Sequence, residues 1–410
     1  MAEYLPLELI TEILTKLPVK SLHRFKCVSK TWNSLITSSN FIKQHLHQTL
    51  ISNTNKLIIS KKSILSSAIS TIKLRFDIVN HPLNNLPHIP PVDIVESVHG
   101  LLLIVDSSKE TVCLFNPSNK TQRLVPPAPS RKPGDGFEIV EVFGFGYDSV
   151  TDDYKVVRLA QWELFGYFDR EAYVYSMRND SWESVNDETV LYALQETCAI
   201  AVDSTLWFVT ISSNSDSVLK CFDLRTNTFS LVDFPEFDSD SGKMMNLRNL
   251  RGCLCLLVSY RKYRDDPDNK FTGNPFYNHE FLYGDVWELK DCKWVKLFRV
   301  RKKEINKDCM YLRLVTYSKD EKSVLVEVDG AWFGWYDLVT RKIKRVSVQG
   351  LRLEDSPHVA FTCVDSLVSV VNNKAVSEKE GKKGGEEKNK VPKKIIKKNN
   401  FLSSGFKLKL

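Results

Sequence analysis

The sequence lacks most of the signatures that would mark it as an enzyme, a metal protein or a membrane protein. Its nine cysteines, at 27, 113, 198, 221, 253, 255, 292, 309 and 363, contain no C-x-x-C pair. An odd set without that spacing offers neither a zinc framework nor a disulfide scaffold, so a reduced compartment is expected. No apolar run approaches the ~18 residues of a membrane-spanning helix. The N-terminus, with Glu3 and Pro6, lacks the charged-then-apolar order of a secretion signal. A cytoplasmic or nuclear chain is therefore expected, and the glycosylation triplets at Asn119 and Asn179 carry no weight there.

Catalytic signatures are equally sparse. The eight histidines are scattered, and His45 and His47 would leave a helix in different directions. No H-E-x-x-H or nucleophile elbow accompanies them. Gly144 and Gly146 lack the third glycine and the lysine of a phosphate loop, and read as a bulge or turn between strands. Asp148, Asp152 and Asp153 can be drawn as glycosidase carboxylates, but turn capping is the expected role. Cys253 and Cys255 share one face of a strand and read as inert core. No cofactor or metal is expected.

Charge is present but confined. The whole chain carries +7, yet Lys374–Leu410 alone holds 12 Lys and 4 Glu, a net of +8, which leaves −1 for the other 373 residues. That tail is Lys-, Gly- and Asn-rich with few large apolar residues, the composition of a disordered segment. Lys388, Lys390, Lys393, Lys394, Lys397 and Lys398 are candidates for a nuclear localisation signal. Nucleic acid is not expected as a partner, because no basic stripe with interleaved aromatics occurs in the folded part.

What is present begins with helices. Pro6 suits a first helical turn and Glu8 complements the helix dipole. Ile10, Ile13, Leu14 and Leu17 follow at helical spacing along one apolar stripe. Pro18 ends that helix. A second should run from about Val19 to Phe25, a third should carry Val28, Trp32, Leu35 and Ile36 with Ser29 or Cys27 near its start, and Asn40 can cap a fourth bearing Phe41, Ile42 and Leu46. About 47 residues bury too little surface to be comfortable alone, so the stripe needs a partner surface.

Leu5-Pro6, Ile13-Leu14, Leu17-Pro18-Val19, Ser21-Leu22, Phe25, Cys27-Val28-Ser29-Lys30, Trp32 and Leu35-Ile36 together resemble the F-box, in order and over its whole length. The closest likeness is to plant proteins with a C-terminal F-box-associated domain. In that family the F-box binds the Skp-type adaptor of a cullin–RING ubiquitin ligase. The resemblance implies Leu5, Pro6, Ile13, Leu17, Pro18, Val19, Leu22 and Val28 as adaptor contacts, with Trp32 in the F-box's own core.

Behind the helices lies a repeat. Phe115, Tyr175, Phe222, Trp287 and Tyr336 align; each is followed by Asn116, Ser176, Asp223, Glu288 or Asp337. Seven positions on come Gln122, Trp182, Phe229, Trp294 and Ile343, and ten positions on come Val125, Val185, Val232, Leu297 and Val346. Turn-forming residues fill the interval, so each unit contains a β-hairpin. A weaker sixth copy starts at Phe76-Asp77, with Leu83 and Leu86. The spacing leaves room for two more strands per unit, with candidates at 100–104, 156–157, 206–209, 253–257 and 324–328. Four strands recurring in this way describe a β-propeller of about five or six units, with a β-sandwich as the runner-up.

Each kelch blade carries a diglycine, but here the one Gly-Gly is Gly384-Gly385 in the tail, and the Trp-Asp dipeptide of WD repeats is missing. His99-Gly100-Leu101-Leu102, Leu114-Phe115-Asn116-Pro117, Gly144-Phe145-Gly146-Tyr147-Asp148, Asp153-Tyr154-Lys155-Val156-Val157 and Tyr173-Val174-Tyr175-Ser176 instead resemble the F-box-associated domain, which acts as a substrate receptor. The expected organisation is a mainly β protein with a small all-α domain: F-box 1–47, linker 48–54, propeller-like domain 55–373, basic tail 374–410. The implied role is a non-catalytic substrate receptor of a Skp–cullin–F-box ligase; an adaptor-binding scaffold and a propeller hydrolase are the alternatives. Long loops with charges and aromatics are natural target sites. Tyr260, Arg261, Tyr263, Arg264, Phe271, Phe276 and Tyr277 are the first candidates, and Trp162, Phe165 and Tyr167 form a second stretch.

Overall fold

The computed structural model describes residues 5–52, 56–60, 64–68, 73–75, 77–79, 93–106, 111–129, 139–164, 167–186, 193–194, 199–211, 217–237, 242–263, 279–305, 309–349 and 359–370. It begins with four helices, α1 (Leu7–Thr15), α2 (Val19–Phe25), α3 (Lys30–Thr37) and α4 (Ser39–Ile51). Pro6 and Pro18 each stand immediately before a helix, where a missing N–H costs nothing. The Ser29 hydroxyl accepts from the Trp32 N–H at 3.1 Å and caps α3. The cap of α4 is Ser38, whose hydroxyl accepts from the Phe41 N–H, and not Asn40, which lies inside the helix. Because α4 continues to Ile51, the segment expected as linker is largely helical.

The rest is β. Five blades follow one another along the chain, covering Asp93–Val125, Ile139–Ser184, Ala193–Val232, Gly242–Arg301 and Leu312–Gln349. In each, antiparallel neighbours run outward from an innermost strand, and in the fifth Lys73–Arg75 adds an outermost strand parallel to Ser347–Gln349. A sixth sheet joins the two ends of the folded region: Val359–Cys363 is its innermost strand and pairs antiparallel with Lys56–Ser60, followed by Ile64–Ala68 and Asp77–Val79. The innermost strands neighbour one another in sequence order, and that of the sixth sheet neighbours that of the first blade, so the sheets close into a ring. Closure removes the exposed inner edges that an open stack of sheets would present.

The aromatic repeat is the outer hairpin of each blade. Phe115 pairs with Gln122, Tyr175 with Trp182, Phe222 with Phe229 and Tyr336 with Ile343. The polar residue after each aromatic caps the turn: Asn116 accepts from the Ser118 N–H, Ser176 from Asn179, Asp223 from Arg225, and Asp337 from Val339 and Thr340. Each of these turns then places one residue at positive φ, namely Lys120, Asp180, Asn227 or Arg341. The fourth blade departs from the pattern. Its hairpin turns on two positive-φ residues, Asp291 and Cys292, so Trp287 faces Lys296 and Trp294 faces Leu289. Indole N–H groups tie successive blades, Trp182 donating to the Pro126 carbonyl and Trp294 to that of Asp233, equivalent positions of the preceding blades.

The strands expected at 100–104, 156–157, 206–209, 253–257 and 324–328 are the second strands of the five blades. Of the sixth copy, Phe76, Leu83 and Leu86 lie outside the described residues, while Asp77 opens the outermost strand of the closing sheet. Gly144 and Gly146 belong to an unbroken strand, not a bulge or turn. A Cβ at either would stand 2.7 Å or less from Leu206 or Leu224, so glycine lets the second blade pack closely on the third.

The turn at His99-Gly100 has φ 53 and 81. A Cβ on Gly100 would meet the Ser366 Cβ at 2.4 Å and the Val364 carbonyl oxygen at 2.6 Å. Backbone conformation and space thus both require glycine. Gly100→Ala is expected to remove about 2 kcal/mol or more of stability, measured as a lowered urea midpoint.

Candidate protein-binding surfaces

The F-box sorts its apolar residues into two sets. Leu14, Val19, Leu22, Ile36 and Phe41 form its core, with Phe25 and Trp32 packed beside them edge to face at 5.6 Å. Leu5, Leu7, Leu9, Ile13 and Val28 remain 46–61 % exposed. Of the eight residues expected to meet an adaptor, Leu5, Pro6, Ile13, Pro18 and Val28 are exposed and Leu17 is half-buried. Val19 and Leu22 are not surface residues: both are buried to 2 % or less, because the short α2 packs them into the core with Leu14, Ile36 and Phe41. Trp32 lies where it was expected.

The F-box core is completed from the far end of the chain. After the closing strand, residues 364–370 run between the F-box and the first blade. Leu367 enters the F-box core, while Val368 and Val370 pack into the core shared by the first and second blades. The Asn116 side-chain amide donates to the Ser366 and Val368 carbonyls at 3.1 and 2.7 Å, and Asn119 donates to Val368 at 2.8 Å. Asp365 takes Lys56 at 2.7 Å and the Ser118 hydroxyl at 3.0 Å. The aromatic repeat therefore has a second use in the first blade, where its turn asparagine clamps this strap.

A polar contact adds to the joint. Lys43 of α4 reaches Asp152 at 2.8 Å, and the Tyr147 hydroxyl donates to the same carboxylate at 2.5 Å. Burial acts to raise Asp152, but the hydrogen bonds from Lys43 and Tyr147 hold it below the usual carboxylate range. His45 is buried, and its Nε2 lies 2.9 Å from the Leu17 carbonyl. Burial lowers its pKa, against that hydrogen bond and the charge of Asp365. The propeller residues of this joint lie in turns between first and second strands, at the strand ends beside them or in an outer hairpin turn, so the F-box sits at one end of the blades.

The residues proposed from the sequence as a target loop divide differently. Tyr260 is a strand residue, buried and stacked on Tyr283 with ring centres 4.4 Å apart. Arg261 is buried too, its guanidinium donating to the Met310 carbonyl at 3.1 Å. Neither belongs to an exposed loop, because the strand continues to Tyr263 and pairs there with His279. Arg264, Phe271, Phe276 and Tyr277 lie outside the described residues. So does Phe165, while Trp162 is core and Tyr167 begins a strand. The strand ends Tyr263 and His279 stand at the opposite end of the fourth blade from its Arg251-Gly252 turn, hence at the end away from the F-box. The six tail lysines also lie outside the described residues.

The carboxylates once drawn as catalytic have structural partners. Asp148 accepts from the Val150 and Thr151 N–H groups and pairs with Lys155 at 3.1 Å, and Asp153 accepts from the Ser176 hydroxyl and the Arg178 N–H. Cys255 is buried, which pushes its thiol up to about 12. Among the described residues no cluster of His, Cys, Asp and Glu is arranged to hold a metal, and no helix is long and apolar enough to cross a membrane.

Helices of this pattern leading into a closed ring of four- and five-stranded sheets define an F-box protein with a propeller behind the F-box. The F-box domain family matches residues 3–44 and the F-box associated beta propeller domain family matches residues 45–372, and the chain belongs to both. Among its relatives in Arabidopsis thaliana, the F-box protein CPR1 is 29% identical over 99% of both chains. An F-box/kelch-repeat protein of that plant is 31% identical over 72% of this chain and 79% of its own.

Two outcomes follow. Leu367→Ala should cost the F-box about 2–4 kcal/mol by opening its core. Hydrogen exchange should then quicken in α1 to α4 while the third to fifth blades keep their protection. The second concerns Glu327, which is buried with neither oxygen accepting a hydrogen bond among the described residues and with Arg313 at 3.6 Å. Burial pushes it up to about 7, against the pull of Arg313 and Arg248. A raised carboxylate means that the folded chain holds a proton the unfolded chain has lost. Stability from this group is therefore full below about pH 4.5 and declines by about 3 kcal/mol as pH rises through 7. Glu327→Gln should flatten that decline, seen in urea midpoints compared at pH 5 and pH 8.

Proposed function

We propose that this chain is the substrate-recognition subunit of a Skp–cullin–F-box ubiquitin ligase. The observation that carries the reading is the exposed apolar set at the start of the F-box. Leu5, Leu7, Leu9, Ile13 and Val28 stand in water beside a packed core of Leu14, Val19, Leu22, Ile36 and Phe41. Several large apolar side chains left exposed on so small a domain mark an interaction site. The adaptor contact is assigned to Leu5, Pro6, Ile13, Leu17, Pro18 and Val28, with Val19 and Leu22 supporting them from beneath.

The propeller then holds a target protein, and the blade end away from the F-box, where positions 264–278 join the fourth blade's strands, is the assigned face. The chemistry belongs to other subunits. This chain raises the effective concentration of target lysines near a ubiquitin-charged enzyme. Cytoplasm and nucleus are its proposed locations, with the six tail lysines as a nuclear signal.

Ile13→Asp with Val28→Asp should abolish capture of a Skp-type adaptor and, through it, a cullin, while the propeller keeps its melting midpoint. Retention of the adaptor at wild-type level by that double variant would sink the assignment. Adaptor bound without cullin, and a target whose lifetime ignores deletion of residues 1–47, would point to a scaffold instead.

A further inference from the structure

The F-box carries a one-sided charge pattern that its own stability does not explain. From Ile13 to Phe76 the chain contains neither Asp nor Glu. Within residues 5–52 the two carboxylates, Glu8 and Glu12, are both on α1, and Glu12 is taken by Lys16 at 2.8 Å. Lys43 is taken by Asp152. Lys20, Arg24, Lys26 and Lys30 make no ion pair among the described residues. Lys20, Arg24 and Lys30 are exposed, and Lys26 is half-buried.

Two of these placements work against the helices that carry them. Lys20 and Arg24 are like charges four residues apart on α2, a spacing that repels. Lys30 is the first residue of α3, where the helix dipole favours an anion, and the first turn of that helix has no acidic residue. Charge set against local stability points outward, to a partner. Between α2 and α3 stands Val28, 61 % exposed and flanked in sequence by Lys26 and Lys30. An apolar centre with a charged rim is the anatomy of a protein–protein contact. A nucleic-acid site would instead offer aromatic faces for stacking. Here Phe25 and Trp32 are packed against each other.

We propose that the α2–α3 face, Lys20, Arg24, Lys26 and Lys30 around Val28, docks onto a carboxylate-rich protein surface, that of the adaptor, and that its charge sets the speed of association. This rests on the adaptor reading given above. Complementary charge acts on the rate of encounter, whereas the buried apolar centre governs escape.

The test uses the full chain and a purified Skp-type adaptor from Arabidopsis thaliana, with association and dissociation rates measured at 50 and 300 mM NaCl. Wild-type kon should fall by about tenfold with salt. K20E/R24E/K30E should lower kon by about tenfold or more at 50 mM NaCl, with koff within about twofold of wild type. Val28→Ala should do the converse, raising koff and sparing kon. The triple change exchanges one like-charge pair on α2 for another and places an anion at the start of α3, so its melting midpoint should stay close to that of wild type, and weakened binding at an unchanged midpoint cannot be misfolding. A kon indifferent both to salt and to the triple change would overturn the charge proposal and leave the adaptor reading standing. No binding at either salt concentration would defeat the adaptor reading, and this proposal with it. Single-stranded RNA retained by the wild type at 150 mM NaCl and lost by the triple variant would assign the face to nucleic acid instead.

Discussion

The segment from Val359 to Val370 holds the molecule together. Its first half is the innermost strand of the closing sheet, hydrogen-bonded to Lys56–Ser60, and so joins the two ends of the propeller. Its second half passes the first blade and gives Leu367 to the F-box. A ring closed by residues about three hundred positions apart carries a loop-closure entropy that must be met before the contact returns anything. Once closed, the same stretch fixes the F-box by side-chain packing and by carbonyls clamped on Asn116 and Asn119. An F-box held this way has a defined direction relative to the blades. In the role proposed above, positioning one chain near another, a defined direction matters as much as affinity.

The propeller shows how a weak repeat tolerates divergence. Each outer hairpin needs an aromatic to fill the space between blades, a short polar residue to cap the turn, and one residue at positive φ. Asn, Ser and Asp all meet the second need, and Lys, Asp, Asn and Arg all occupy the third position. The fourth blade solves the turn with two residues instead and keeps its tryptophans for packing. Requirements are thus local and interchangeable. This is why the repeat survives without the diglycines of kelch blades.

Much of this was legible in the sequence, for a physical reason. Helical periodicity and hairpin turns are local, so α2 was expected at its observed limits and the five hairpins were recognisable from one aromatic each. What was not legible depends on distant residues. Ile13 and Leu14 are adjacent and equally apolar, yet Leu14 is core and Ile13 is exposed; nothing in their composition says which faces outward. Val19 and Leu22 read as contacts because apolar residues in a short helix suit an interface and a core equally. Tyr260 and Arg261 read as loop because charged and aromatic residues follow them, but the strand pairs two residues beyond Arg261 and carries both inside. The strap could not be foreseen: Leu367 acquires its role through residues more than three hundred positions away.

The same stripe of helical residues thus serves two masters, and the strap decides the division. A domain of about 47 residues cannot bury all its apolar surface by itself. Leu367 satisfies the inner side, together with Leu14, Val19, Leu22, Ile36 and Phe41, so the outer side is free to stay exposed without the helices coming apart. Were the inner side left to a transient partner instead, that partner would have to fold the F-box as well as bind it, and part of the binding energy would be spent on ordering the helices. Completing the core from within leaves Ile13 and Val28 preorganised. The end of the blades away from the F-box is then joined through closed sheets to that exposed apolar surface.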